Sequence, residues 1–317
     1  MSRPLKNEMN HILDERLKAG IGTPKVRGSD VLFSIGARDC YAANGFRFNK
    51  YLVEEKGLSP YVKVGVASEY VRDYLFHLDH AGYVRDTVRT AKFALRKIFG
   101  AEAADYTITT PKRPPKNGRE ETKTSREAER RHPYEAACAR CIGIRRREYL
   151  ALTGKDFIRD AHGLCWVYVA NGKGGKEQYQ FIPPQFADFV ESFFLRVGKD
   201  EKVFKPSQLR GLQLHRYRRE LAQFMYFYYL WILETEPEAE KIFKKRLLKA
   251  FHKAGVDPRS KPDMRRLDKL YHTQGQVRQS MIDLGMPTIY DRLALMMVAV
   301  FHLSHWRVSV VVQNYMR

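Results

Sequence analysis

The sequence has no long hydrophobic run: nothing approaches 18 uninterrupted apolar residues, which argues against a membrane span. Its first residues, Met1-Ser2-Arg3-Pro4-Leu5-Lys6-Asn7-Glu8, lack the apolar stretch of a secretory signal, so the expected location is cytoplasmic and nucleoid-associated. Cysteine is scarce, with 4 in 317 residues, too few for a disulfide framework and in keeping with a reduced compartment. Acidic residues are also short, 36 against 56 Lys plus Arg, which leaves a formal charge of +20. Such an excess implies an extended polyanion as partner, most simply nucleic acid held largely by counterion release. The apolar fraction of 44% is ample for real cores, and the length favours two domains over one.

Cys138-x-x-Cys141 followed by His162-x-x-Cys165 mimics zinc-ligand spacing. The first pair lies in Tyr134-Glu135-Ala136-Ala137-Cys138-Ala139-Arg140-Cys141-Ile142, the face of a buried helix, where small thiols serve as plain hydrophobes. The expectation is therefore no metal and no cofactor.

Periodicity divides the chain. Residues 1–110 read as an N-terminal arm and a small helical domain. Leu5, Met9, Ile12, Leu13 and Leu17 share one side of a first helix, and a Gly- and Lys-rich break from Gly20 to Gly28 follows it. Phe46, Phe48, Tyr51 and Leu52 cluster next. Val66, Tyr70, Val71, Tyr74, Leu75 and Leu78, then Val88, Ala91, Phe93, Ala94, Leu95 and Ile98, recur at helical spacing. Gly57 and Gly82 stand where left-handed helix caps belong. Residues 111–130, with Pro111, Pro114, Pro115 and Gly118 among basic side chains, read as an exposed linker. Residues 131–317 read as a second domain, α+β, mainly helical. Its strands Cys165–Ala170 and Gln178–Ile182 flank a turn containing Gly172, Lys173, Gly174, Gly175 and Lys176. Apolar helical bands run from Phe186 to Phe194, Leu212 to Leu233 and Leu293 to Leu303.

Four groups in this second domain carry chemistry, in order. Arg145 follows Gly143, with Glu148 three residues on; Lys173 sits in the hairpin; His215 and Arg218 stand at i and i+3; His305 precedes Tyr315 by ten residues. Ten residues are nearly three helical turns, so a bend between His305 and Tyr315 is required for both to face one site. A phosphodiester attacked by a phenol calls for these residue types. Tyrosine has a reference pKa near 10, so only about one molecule in a thousand is ionised at neutral pH without help. The pentavalent transition state gathers negative charge that guanidinium forks suit, while lysine and histidine move protons. Each preorganised donor is worth roughly 3 kcal/mol. Two arginines, a lysine and two histidines suffice for such a reaction without a metal.

These segments resemble the tyrosine recombinases (phage integrases). Gly143-Ile144-Arg145-Arg146-Arg147-Glu148-Tyr149-Leu150-Ala151-Leu152 is similar to the family's first box, and Gly172-Lys173-Gly174-Gly175-Lys176-Glu177 to its lysine hairpin. Leu214-His215-Arg216-Tyr217-Arg218-Arg219 resembles its histidine-x-x-arginine box, and Leu303-Ser304-His305 through Tyr315-Met316 its final histidine–tyrosine segment. The resemblance covers the second domain; the first resembles the family's SAM-like core-binding domain by pattern alone. It implies a recombinase catalytic domain in which Arg145 and Arg218 clamp phosphate. Lys173 protonates the leaving 5′ oxygen, with Lys176 a weaker candidate. His215 and His305 assist proton transfer and phosphate binding, and Glu148 supports Arg145. Tyr315 forms a 3′-phosphotyrosyl link. The implied function is an integrase or other site-specific recombinase of a mobile element. It would act on paired recombination sites in double-stranded DNA as a homotetramer through a Holliday junction, with accessory DNA-bending or directionality proteins as possible partners. A type IB topoisomerase would share the residues, and a non-catalytic DNA-binding protein of the same fold is the other alternative.

The pattern departs from the family at three places. Ser304 stands where glycine is usual. Arg218 and His305 are 87 residues apart, well beyond the usual spacing, with an added segment around 235–285. In it Pro237 to Gly255 reads as an amphipathic helix lined by Ile242, Phe243, Leu247, Leu248 and Phe251, suited to a surface position, DNA or a neighbouring subunit. Only Met316 and Arg317 follow Tyr315, whereas the family commonly hands a C-terminal helix to the next protomer. Assembly through other contacts, or a shortened chain, is the expectation.

Overall fold

The computed structural model describes residues 3–23, 26, 28–111, 123–172 and 177–316. The chain separates into two compact units, Met1–Pro114 and Pro115–Arg317.

The first unit is helical among its described residues: α1 (Leu5–Gly20), α2 (Ile35–Glu54), α3 (Val64–Glu69), α4 (Val71–His80) and α5 (Arg85–Phe99). Its core takes Leu5, Met9 and Leu13 from α1, Phe48 and Leu52 from α2, Leu75 from α4 and Val88 and Leu95 from α5, all at helical spacing. Phe46, Val66 and Phe93, read with the same apolar groups, face outward: Phe46 and Phe93 stand two residues from buried Phe48 and Leu95, about 200° around their helices. Gly57 and Gly82 adopt φ of +65° and +79°, the left-handed conformation expected after a helix. The chain returns along α4 through buried Asp79, which accepts from the Tyr106 hydroxyl at 2.9 Å and the Thr109 amide at 2.7 Å.

The second unit comprises α6 (Lys123–Arg131), α7 (Pro133–Ile142), α8 (Arg146–Tyr149), β1 (Phe157–Arg159), β2 (Cys165–Val169), β3 (Gln178–Ile182), α9 (Pro184–Leu195), α10 (Leu214–Thr235), α11 (Ala239–Lys253), β4 (Tyr271–His272), α12 (Gly275–Asp283), β5 (Ile289–Tyr290), α13 (Arg292–Phe301) and α14 (Val308–Tyr315). Strands β1, β2 and β3 form an antiparallel sheet in that order, with Trp166 opposite Phe181 and Val169 opposite Gln178. β4 and β5 make a second, two-stranded pairing. The whole is mainly helical with small antiparallel sheets, an α+β arrangement.

Part of the segment read as an exposed linker is instead helix α6. Ser125 and Ala128 are buried on one of its faces, and Ala128 sits under Gly211, where an added Cβ would come within 2.9 Å of it. Small side chains, rather than an apolar stripe, let this charged helix dock.

Two cores meet along α10. Leu214 and Tyr217 belong with α7, the sheet and α9. Leu221, Met225 and Tyr229 belong with α11, α13 and α14. Residues Leu293 to Val300 of α13 are all buried, as expected of a helix apolar on every side. In α11, Phe243, Leu247 and Phe251 are buried at four-residue steps, whereas Ile242 and Leu248 flank the stripe and are exposed. Burying each such side chain contributes about 1.5–3 kcal/mol. Among the described residues no helix is long and apolar enough to cross a membrane.

Candidate active site

Gly143 begins the site. It ends α7 with φ +65°, and a Cβ there would lie 2.5 Å from Leu221 Cδ2, so both conformation and space call for glycine. The turn delivers Arg145 to the N-cap position of α8. Glu148, buried at 3% exposure, holds it twice: one carboxylate oxygen accepts from the Arg145 amide at 2.7 Å, the other from Arg145 Nη1 at 2.7 Å. Buried Tyr149 braces the same turn by donating to the Ala139 carbonyl at 2.6 Å and accepting from the Ile144 amide at 3.2 Å.

Arg218 lies where α10 passes from one core to the other, and only 1% of it is exposed. Its Nη1 donates to the Gly143 carbonyl at 2.7 Å and its Nη2 to the Leu303 carbonyl at 2.6 Å. One planar fork thus ties the turn before α8 to the turn after α13. Burial lowers the affinity of the guanidinium for its proton; the Tyr315 phenol opposes that shift and the Arg145 charge adds to it. Arg218 stays a cation at neutral pH.

The third Arg218 nitrogen, Nε, points to the Tyr315 hydroxyl at 3.4 Å. His305 Nε2 stands 3.5 Å from the same oxygen, with the two rings 6.0 Å apart between centroids. The bend demanded by the ten-residue spacing is present. α13 stops at Phe301, Ser304 turns at φ +48°, the His305 amide donates to Ala299 O at 2.7 Å, and α14 starts at Val308. Ser304 is the sole non-glycine residue with positive φ among those described, a conformation that favours glycine. Val308, Val311, Val312 and Tyr315 share one face of α14, and Tyr315 packs half-buried against the core that takes the three valines.

Of the residues singled out by sequence, Arg218 and His305 meet at the Tyr315 phenol oxygen, Arg145 lies near enough to Arg218 for its charge to be felt there, and Glu148 stands behind Arg145. His215 lies in the first turn of α10, one turn ahead of Arg218, and is exposed. Lys173 and Lys176 lie outside the described residues; β2 and β3 on either side of them pair as expected. Cys138 and Cys165 are buried core residues and Cys141 is half-buried with its thiol pushed up to about 11 by burial. No cluster of three or more metal-ligating side chains occurs among the described residues.

Two residues near the site were not legible in advance. His302, three residues before His305, is fully enclosed: Nε2 lies 2.9 Å from the Tyr229 hydroxyl and Nδ1 3.4 Å from Gln180 Nε2. Burial, with the Arg218 charge in second place, presses its pKa down to about 3, so it is neutral in the fold. Asp263 reaches the start of α14, 45 residues away in sequence. No local pattern marks either one.

Matched against protein-family models, the chain fits none, and no curated protein matches it.

Proposed function

We propose that the chain is a DNA strand transferase of the site-specific recombinase type, with Tyr315 as its nucleophile. The observation that carries this reading is the phenol oxygen of Tyr315 standing 3.4 Å from a buried arginine nitrogen and 3.5 Å from a histidine nitrogen. Tyr315 packs half-buried against the core that takes the α14 valines, and its hydroxyl still meets both groups. Here a fixed cation and a proton acceptor converge on it in a protein of charge +20.

In the proposed reaction the Tyr315 oxygen attacks a DNA phosphorus and passes its proton to His305. The P–O5′ bond breaks, and Lys173 supplies the proton to the departing 5′ oxygen. Arg145 and Arg218 carry the negative charge of the pentavalent transition state. Glu148 keeps the Arg145 fork oriented through two hydrogen bonds. His215, exposed one turn from Arg218, is the remaining phosphate donor. The 3′-phosphotyrosyl bond retains the energy of the phosphodiester, so a 5′ hydroxyl from a partner duplex reverses the step and exchanges strands. Paired DNA sites, a homotetramer and a nucleoid-associated location in the cytoplasm belong to the same reading.

The test is a nicked suicide substrate, in which the cleaved 5′ fragment diffuses away. Wild type is expected to leave a covalent protein–DNA adduct on a denaturing gel, and Tyr315→Phe none. Absence of the adduct with wild type, or its persistence in the variant, overturns the assignment. Relaxation of supercoiled DNA by a monomer, without paired sites, would instead mark a topoisomerase.

A further inference from the structure

The segment between α10 and α13 adds a carboxylate at the root of the tyrosine helix. Asp263 precedes the short helical turn Met264–Arg266, and only 16% of its side chain is exposed. One of its oxygens accepts from Arg292 Nη1 at 2.7 Å, and the other from the Val308 amide at 3.2 Å. Val308 is the first residue of α14, and its N-cap residue Arg307 makes no side-chain cap bond. The amides that begin a helix lack intrahelical partners, and a negative charge is favoured at that end.

Arg292 is itself held rigidly. It opens α13, donates from Nε to Lys269 O at 3.1 Å and from Nη2 to Leu270 O at 3.2 Å, and lies over the Tyr271 ring at 5.3 Å. A second contact from the same segment falls just ahead of α14: Phe251 of α11 meets Trp306 edge-on, ring centroids 4.6 Å apart. The carboxylate therefore links the starts of two helices. α13 ends at the turn that presents His305, and α14 ends at Tyr315.

We propose that Asp263 is a positioning residue for Tyr315: from within the added segment it caps α14, and with Arg292 it sets where the phenol sits relative to Arg218 and His305. This rests on Tyr315 being the nucleophile. The added segment then serves the chemistry of its own chain. Eight residues are too few for a helix to hold itself in water, so the start of α14 depends on such outside partners.

The test compares Asp263→Ala and Asp263→Asn with wild type in single-turnover cleavage of saturating suicide substrate, alongside DNA affinity by gel shift. Amide exchange is followed across Val308–Val311. Asp263→Ala is expected to cleave roughly tenfold more slowly at unchanged affinity, the scale of a lost helix cap. Exchange at the start of α14 should quicken while that of α9 stays the same. Asp263→Asn keeps an acceptor oxygen for Val308 and should recover part of the rate; it also serves where the alanine variant folds poorly. Unchanged cleavage, or equal losses in rate and affinity, overturns the positioning role. A wild-type protein that forms no adduct sinks the strand-transfer reading by itself. In that case unchanged α14 exchange in both variants overturns the cap, and quickened exchange upholds it.

Discussion

Replacing Arg218 by lysine separates two things the side chain does. The guanidinium serves two buried carbonyls from two different nitrogens, Gly143 O at 2.7 Å and Leu303 O at 2.6 Å, and presents a third nitrogen to Tyr315. A lysine ammonium keeps the charge but has no planar fork, so it reaches one carbonyl and leaves the other unpaired. A hydrogen bond to a charged group contributes about 1.5–3 kcal/mol, and an orphaned buried acceptor costs about 1–3 kcal/mol. Allowing for relaxation, Arg218→Lys should destabilise the unit by about 2 kcal/mol. With a urea slope of about 2 kcal/mol per molar, the unfolding midpoint falls by about 1 M. Cleavage, assayed well below that midpoint, should drop about 100- to 1000-fold because the transition state loses a preorganised donor. Urea titration followed by tryptophan fluorescence reads the first effect, and adduct formation on the suicide substrate reads the second. An unchanged midpoint refutes the structural weight assigned to the fork. Unchanged cleavage in a destabilised variant refutes its place beside the nucleophile.

Three further outcomes follow from the same reasoning. His302 is neutral in the fold with its pKa held at about 3, against an ordinary value of 6.5, so the unfolded chain binds the extra proton between those limits. Its stabilising contribution is full above pH 6.5 and is lost as pH falls toward 3; urea midpoints at pH 7 and pH 5 should differ more for wild type than for His302→Gln, and equal differences would refute this. Lys173→Ala should slow cleavage far more than it weakens DNA binding, since a general acid acts on the leaving group; equal losses would make it a plain phosphate contact. Cleavage should persist in excess EDTA, because cationic side chains supply the charge that a divalent ion would; strict dependence on Mg²⁺ would contradict that.

Much of the candidate site was legible because its groups sit in short local patterns. Gly143 before Arg145, Glu148 three residues on, and Arg218 within a helical stretch stand in short turn and helix patterns, and the structure brings Arg218 and His305 to the Tyr315 oxygen, with Arg145 held by Glu148 nearby. The core faces of α1, α5 and α13 were legible for the same reason: period and apolarity are written locally. Other features had no local sign. The helix α6 docks through Ser125 and Ala128, which no apolar stripe announces. β1 has three residues, of which two are exposed, and takes its place only by pairing with β2.

By itself the sequence determined the net charge of +20, the helical periods, the glycine turns and the order of the candidate groups. Tertiary structure alone decided which of those groups meet. Arg218 finds Leu303 O across 85 residues, and Asp263 finds the Val308 amide across 45. Such contacts depend on where whole helices come to rest, and that is set by the burial of side chains from several elements at once rather than by any neighbouring residue. The bend at Ser304 joins the two levels: the ten-residue spacing demanded it, and the packing of α13 and α14 holds a non-glycine residue there at φ +48°.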